Sequence, residues 1–219
     1  MQNHEIISNY DDFINTLVLS NPFQTAGYGK TVTVRTRSGM IPVMKVEEMY
    51  CPFGLSQYNG KFSLDMSIKD PELLKFLKAL DNRLMHMPNK EEDWLGGIKP
   101  VESLKSLYVP LVKESKPVGK YPPSLKGTVL LNDVGKNKAT ALFDNERKLL
   151  QLTESNLPKG SRCSGLLSIG SIWIIQNRFG LSAKFKQIKR ADSVIPQPKV
   201  GLNDYAFVED SDSDDDTMS

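Results

Sequence analysis

The sequence predicts a mainly β fold, a closed or nearly closed β-barrel with one inserted α-helix. Three features lead there. Short stretches that alternate apolar and polar residues recur along most of the chain, Gly- and Pro-containing turns separate them, and only one segment carries apolar residues at helical spacing. A chain of 219 residues is long enough to bury a sizeable core.

Taken in order, the opening residues to about Gly29 read as irregular, with Asn21-Pro22 and Gly27-Tyr28-Gly29 as loop signals. Residues 31–37, Thr-Val-Thr-Val-Arg-Thr-Arg, alternate and are rich in β-branched types, so they predict a strand. Ser38-Gly39 turns the chain into a second strand at 40–46, where Pro42 suits a sheet edge. Cys51-Pro-Phe-Gly54 reads as a loop, and residues 61–68 as a period-two strand with Phe62, Leu64, Met66 and Ile68 on one face. Asp70-Pro71-Glu72 is a helix start, since Asp caps, Pro fits the first turn and an acid faces the positive end of the dipole. The stripe Leu73, Leu74, Phe76, Leu77, Leu80 and Leu84 then packs on a sheet until Pro88 ends the helix. Further strands are predicted at 104–112, 125–131, 139–143, 149–152 and 162–169. A closing hairpin joins 172–176 to 179–189 through a turn at Asn177-Arg178. Pro196 and Pro198 open a linker, which divides the chain into a domain at 1–195 and a tail at 196–219.

The charge is unevenly placed. All 28 Lys and Arg precede Glu209, whereas six of the 26 acids (Glu209, Asp210, Asp212, Asp214, Asp215 and Asp216) follow Val208, so the modest total of +2 conceals a body at +8. A basic body attracts polyanions, and a tethered anionic segment competes for the same surface; an acidic run is also a common solubilising tail. Residues 1–10 are polar and do not read as a signal peptide, and no apolar run approaches the roughly 20 residues that span a bilayer. With Cys51 and Cys163 far apart in sequence and only His4 and His86, neither a disulfide framework nor a metal site is predicted, and a reducing intracellular compartment fits.

No catalytic signature is present. Gly29-Lys30-Thr31 lacks the earlier glycine of a phosphate-binding loop and opens a strand rather than a helix. Lys-x-Asp-Gly, Gly-x-Ser-x-Gly and His-Glu-x-x-His are absent, and the carboxylate runs Asp11-Asp12 and Glu91-Glu92-Asp93 read as solvated surface. An enzymatic reading therefore has no nominated residue, and no cofactor is predicted. Two segments suggest binding instead. In the last strand, alternation puts Ser182, Lys184 and Lys186 on one face, with Arg178 and Lys189 nearby, where the cations could track phosphates. Phe179, Leu181, Ala183 and Phe185 fall on the other face, the phenylalanines as core or as stacking platforms. In Cys51-Pro-Phe53-Gly-Leu-Ser-Gln-Tyr58-Asn-Gly-Lys61, two aromatics and a lysine share a glycine-rich loop, where Phe53 either stacks on a base or plugs the barrel.

Several blocks together are similar to one family. They are Pro52-Phe53-Gly54-Leu55 before Lys61-Phe-Ser-Leu64, Trp94-Leu-Gly96 after the helix, Tyr121-Pro-Pro123-Ser-Leu125, and Ile172-Trp173-Ile-Ile175-Gln-Asn-Arg178-Phe179-Gly180-Leu-Ser182-Ala-Lys184; Tyr205-Ala-Phe207 and the acids close the set. In these the chain resembles the single-stranded DNA-binding proteins of nucleocytoplasmic large DNA viruses, the type related to those of short-tailed phages. The resemblance implies an oligonucleotide-binding barrel that coats single-stranded DNA during viral replication and recombination, in host cytoplasm or nucleus. It also implies a tail that competes with DNA and recruits replication proteins such as the DNA polymerase. Phage relatives end in an aromatic residue, whereas here Phe207 precedes the acids. Ser211 and Ser213 each have an acid three residues on, a context for acid-directed phosphorylation that would add about −1.5 to −2 charge per site. Self-association is left open, and a structural role binding basic protein partners through the tail is the alternative.

Overall fold

The period-two segments form strands in the computed structural model, which describes residues 3–25, 27, 29–90, 94–131 and 139–191. In chain order the elements are β1 (His4–Ile6), α1 (Tyr10–Thr16), β2 (Val18–Leu19), β3 (Phe23–Gln24), β4 (Gly29–Arg35), β5 (Ile41–Cys51), β6 (Leu55–Tyr58), β7 (Lys61–Ser67), α2 (Pro71–His86), α3 (Val101–Leu107), β8 (Tyr108–Val109), β9 (Val112–Lys113), β10 (Ser124–Val129), β11 (Ala141–Phe143), β12 (Leu149–Leu150), β13 (Ser161–Ile175) and β14 (Arg178–Arg190). The fold is mainly β, with a single sheet and one main helix.

Five strands organise the sheet. β13 lies antiparallel to both β5 and β14, and β7 lies antiparallel to both β5 and β10. β10 then meets β14 in parallel at Thr128–Lys184, so the path of pairings returns to its start. β13 is shared along its length, pairing with β5 up to Ser168 and with β4 from Ser171.

Inward-facing residues of these strands and the buried stripe of α2 make one hydrophobic core. Asp70 caps α2 as expected, accepting from the Glu72 amide at 2.9 Å, and Leu73, Phe76, Leu77, Leu80 and Leu84 are buried. Phe179 and Phe185 are fully buried, which places both in the core rather than on a stacking surface. Phe179 packs edge-on to Trp94 at 6.3 Å. The Phe185 ring fills space that only glycine leaves: a Cβ on Gly127 would lie 2.3 Å from it and one on Gly165 2.8 Å. Gly127→Val is therefore expected to destabilise by about 1–3 kcal/mol through overpacking, read as a lowered midpoint in thermal unfolding and partly restored by adding Phe185→Leu.

Several expectations are corrected. The opening segment is not irregular: Asn9 caps α1 by accepting from the Asp12 amide at 3.0 Å, and Tyr10 stacks on Phe76 of α2 at 4.1 Å. Pro42 has a strand partner on one side alone, as expected of an edge position: β1 pairs along residues 41–43, the pairing of β5 with β13 stops at Val43, and the missing N–H of Pro42 faces that unpaired side. The segment read as a strand at 104–112 is α3 followed by β8 and β9. Residues 161–175 form one strand of 15 residues with irregular register, not two. The hairpin turn is at Gln176-Asn177, both with positive φ, one residue earlier than predicted. The linker and tail, with the domain boundary at 195/196, lie outside the described residues.

One buried charge ties the additions to the core. Asp81 of α2 accepts from the Tyr108 hydroxyl (2.6 Å) and from the Leu111 (2.9 Å) and Val112 (3.1 Å) amides, which fixes β8 and β9 against the helix. Burial pushes the Asp81 carboxyl above its ordinary pKa, while these three donors pull the other way.

Candidate functional site

The segment from Cys51 to Lys61, predicted as a loop, is mostly strand. After a kink at residues 52–54, β6 continues and folds back on β7, with Tyr58 opposite Lys61. Asn59 and Gly60 make the connection, both with positive φ, a pairing that marks a two-residue hairpin turn. Gly54 is needed in the kink, because it has φ +60° and a Cβ there would come within 2.7 Å of backbone atoms of residues 157–159. The neighbouring Phe53 is 60% exposed and Tyr58 76%, so Phe53 plugs nothing and both rings face solvent.

Register fixes which side chains share the outward face of β7 and β10. Leu64 pairs with Gly127 and Met66 with Leu125 on the core side, which puts Lys61, Ser63, Asp65 and Ser67 on the opposite face together with Ser124, Lys126 and Thr128; Lys61 and Lys126 are exposed there, whereas Ser63 and Ser67 are buried. One cross-strand row runs from Ser56 of β6 through Ser63 and Thr128 to Lys184 of β14. A second runs from Arg162 of β13 through Tyr50, Ser67 and Ser124 to Lys113 of β9. Small hydroxyl residues thus make the middle of the face, with Ser56 and Ser63 hydrogen-bonded at 3.1 Å, and cations and aromatics stand around them. Lys126 reaches Asp65 only at 3.9 Å, and this carboxylate offsets part of the positive charge. Beside it, Phe53, Ser56, Gln57, Asp65, Leu157 and Lys159 line an open cavity of about 660 Å³.

The structure gathers part of the predicted cluster. Tyr58, Lys61 and Lys184 belong to this face. Lys186 is the extra residue of a bulge, since Leu166 pairs with Gln187 but Leu167 with Phe185. Arg178 and Lys189 stand at the two ends of β14, roughly 20 and 16 Å from Lys184 at about 3.3 Å per residue. Lys113, Lys126, Tyr50 and Arg162 join the face although the sequence reading did not select them. The alternation of Leu125-Lys126-Gly127-Thr128-Val129 marked Lys126 as outward, but only pairing with β7 brings it opposite Asp65, on the same face as Lys61.

Among the described residues, no group of His, Cys, Asp and Glu is placed to hold a metal ion. Tyr205, Phe207, Glu209, Asp210, Ser211, Asp212, Ser213, Asp214, Asp215 and Asp216 lie outside those residues. Comparison with protein-family models and with curated proteins found no match for the chain.

Proposed function

We propose that this protein binds single-stranded DNA with little sequence preference, without catalysing a reaction, and that the ring of β5, β7, β10, β13 and β14 is an oligonucleotide-binding barrel. The observation that carries the proposal is the outward face of β7 and β10. In barrels of that kind the second and third strands and the loop between the first and second form the binding surface. The corresponding elements here carry Lys61 and Lys126 for phosphates, exposed Tyr58 and Phe53 for bases, and small side chains between them, with Lys184 adjoining them from β14 opposite Thr128. Stacking on an aromatic ring is worth about 1–3 kcal/mol per base and accepts any base, so such a face coats rather than reads a strand. A duplex keeps its base faces stacked inside and offers nothing to Tyr58. The role that follows, on the family resemblance, is to protect and organise single strands during viral DNA replication and recombination.

Titrating labelled oligothymidylate and duplex of equal length into the protein tests the reading. Preference for the single strand, with a log–log salt slope of about −0.7 per neutralised phosphate, is expected; equal or stronger duplex binding contradicts it. The six-acid tail competes for this face in the same account. Deleting residues 209–219 is expected to tighten binding at low salt, and identical affinities for the two forms would remove the tail from the mechanism.

A further inference from the structure

The loop joining β9 to β10, residues 114–123, leaves the face above at Lys113 and has the composition of a second contact. It carries Lys116 and Lys120, with Lys113 at its base, and its one acid, Glu114, is held by Lys78 of α2 at 2.8 Å. The Ser115 hydroxyl donates to the Pro117 carbonyl (2.8 Å) and accepts from the Tyr121 amide (3.2 Å), while the Lys120 amide donates to the same carbonyl at 3.2 Å. These bonds close the loop on itself and leave Val118 80% and Tyr121 61% exposed. Lys120 Nζ lies 5.3 Å from the centre of the Tyr121 ring, a cation set against one aromatic face. An aromatic held outward among cations has no packing role; it matches a polyanion that also presents flat rings.

We propose that this loop is a second contact for the same single strand, with Lys113, Lys116 and Lys120 on phosphates and the Tyr121 ring on a base. The inference rests on the function proposed above and adds a direction of travel. Lys113 pairs with Ser124 at one end of β10, whereas the Tyr58–Lys61 tip lies beyond Thr128 at the other. The six residues of β10 separate the two contacts by roughly 20 Å. A short oligonucleotide occupies one contact and a long one spans both.

The test compares oligothymidylates of about 4 nucleotides, too short to bridge roughly 20 Å, and about 16 nucleotides, the two ends of the range of site sizes for such barrels, on the full chain and its variants. Tyr121→Ala is expected to weaken the long strand at least about 5-fold, the lower end of one lost stacking contact, and to leave the short strand unchanged; Tyr121→Trp restores the loss. Lys116→Gln with Lys120→Gln is expected to flatten the salt slope for the long strand by about 0.7 per phosphate contact removed. Unchanged long-strand affinity in Tyr121→Ala, with an unchanged unfolding midpoint, overturns the proposal, as does equal weakening of both lengths. Loop variants that leave DNA binding intact but abolish the effect of deleting residues 209–219 would assign the loop to the acidic tail and also overturn it. If the unaltered chain binds neither oligonucleotide, the first site itself fails, a result distinct from these.

Discussion

Replacing Lys61, Lys126 and Lys184 together by glutamate is expected to lower affinity for single-stranded DNA on the order of 100-fold or more at low salt, because like charges brought into apposition cost several kcal/mol. The salt slope should flatten by about 2, the sum of three lost phosphate contacts at about 0.7 each. All three side chains are outward and exposed on strands whose core faces are untouched, so folding should survive. Reversal of Lys189 with Arg178, at the ends of β14, is the control: it changes total charge by four units against six but removes nothing from the face, so a pure net-charge effect would give about two thirds of the loss in log affinity. Losses in proportion to the charge removed would mean that net charge, not this face, drives binding.

Asp81→Ala carries the largest expected effect on stability. It leaves the Tyr108 hydroxyl and the Leu111 and Val112 amides without their acceptor in the buried space beneath α2. Each orphaned buried donor costs about 1–3 kcal/mol, so a loss of roughly 3–5 kcal/mol and a melting midpoint lower by on the order of 10 °C are expected. Tyr108→Phe removes one donor and keeps the carboxylate bonded to both amides; its expected cost is about 1 kcal/mol. Thermal unfolding of the two variants checks the ranking. Comparable midpoints would show that the carboxylate is not what holds β8 and β9.

The strands were legible in the sequence wherever one face is buried and the other wet, because that condition enforces alternation over several residues. Residues 61–68 and 179–185 are the clearest cases, and the Asp70-Pro71 cap with its leucine stripe marked α2 equally well. Elements whose burial rests on partners distant in sequence were not legible. α1 buries only Phe13 fully, and Tyr10 is half-covered through its stack on Phe76. In α3 the spacing of Val101, Leu104 and Leu107 is helical, but the apolar run that follows it resembles a strand. β6 was hidden by its flanking glycines, although Asn59-Gly60 is a hairpin signal in its own right.

The candidate face shows the same division. Tyr58 and Lys61 stand together because they adjoin one turn, and Lys184 was placed outward by alternation alone. Lys113, Lys126 and Arg162 reach the face through registers that link residues separated by tens of positions, information that no local pattern holds. Arg178 and Lys189, read together from one segment, lie far apart because the strand is extended. Eleven residues of β14 cover roughly 36 Å.

Hydrogen–deuterium exchange with and without a saturating oligothymidylate tests most directly where the strand lies. The account predicts slowed exchange concentrated in residues 55–67 and 124–129, the hairpin and strand that carry Tyr58, Lys61 and Lys126. Slowing confined to residues 141–150 or to the first 25 residues, with the hairpin unaffected, would contradict it.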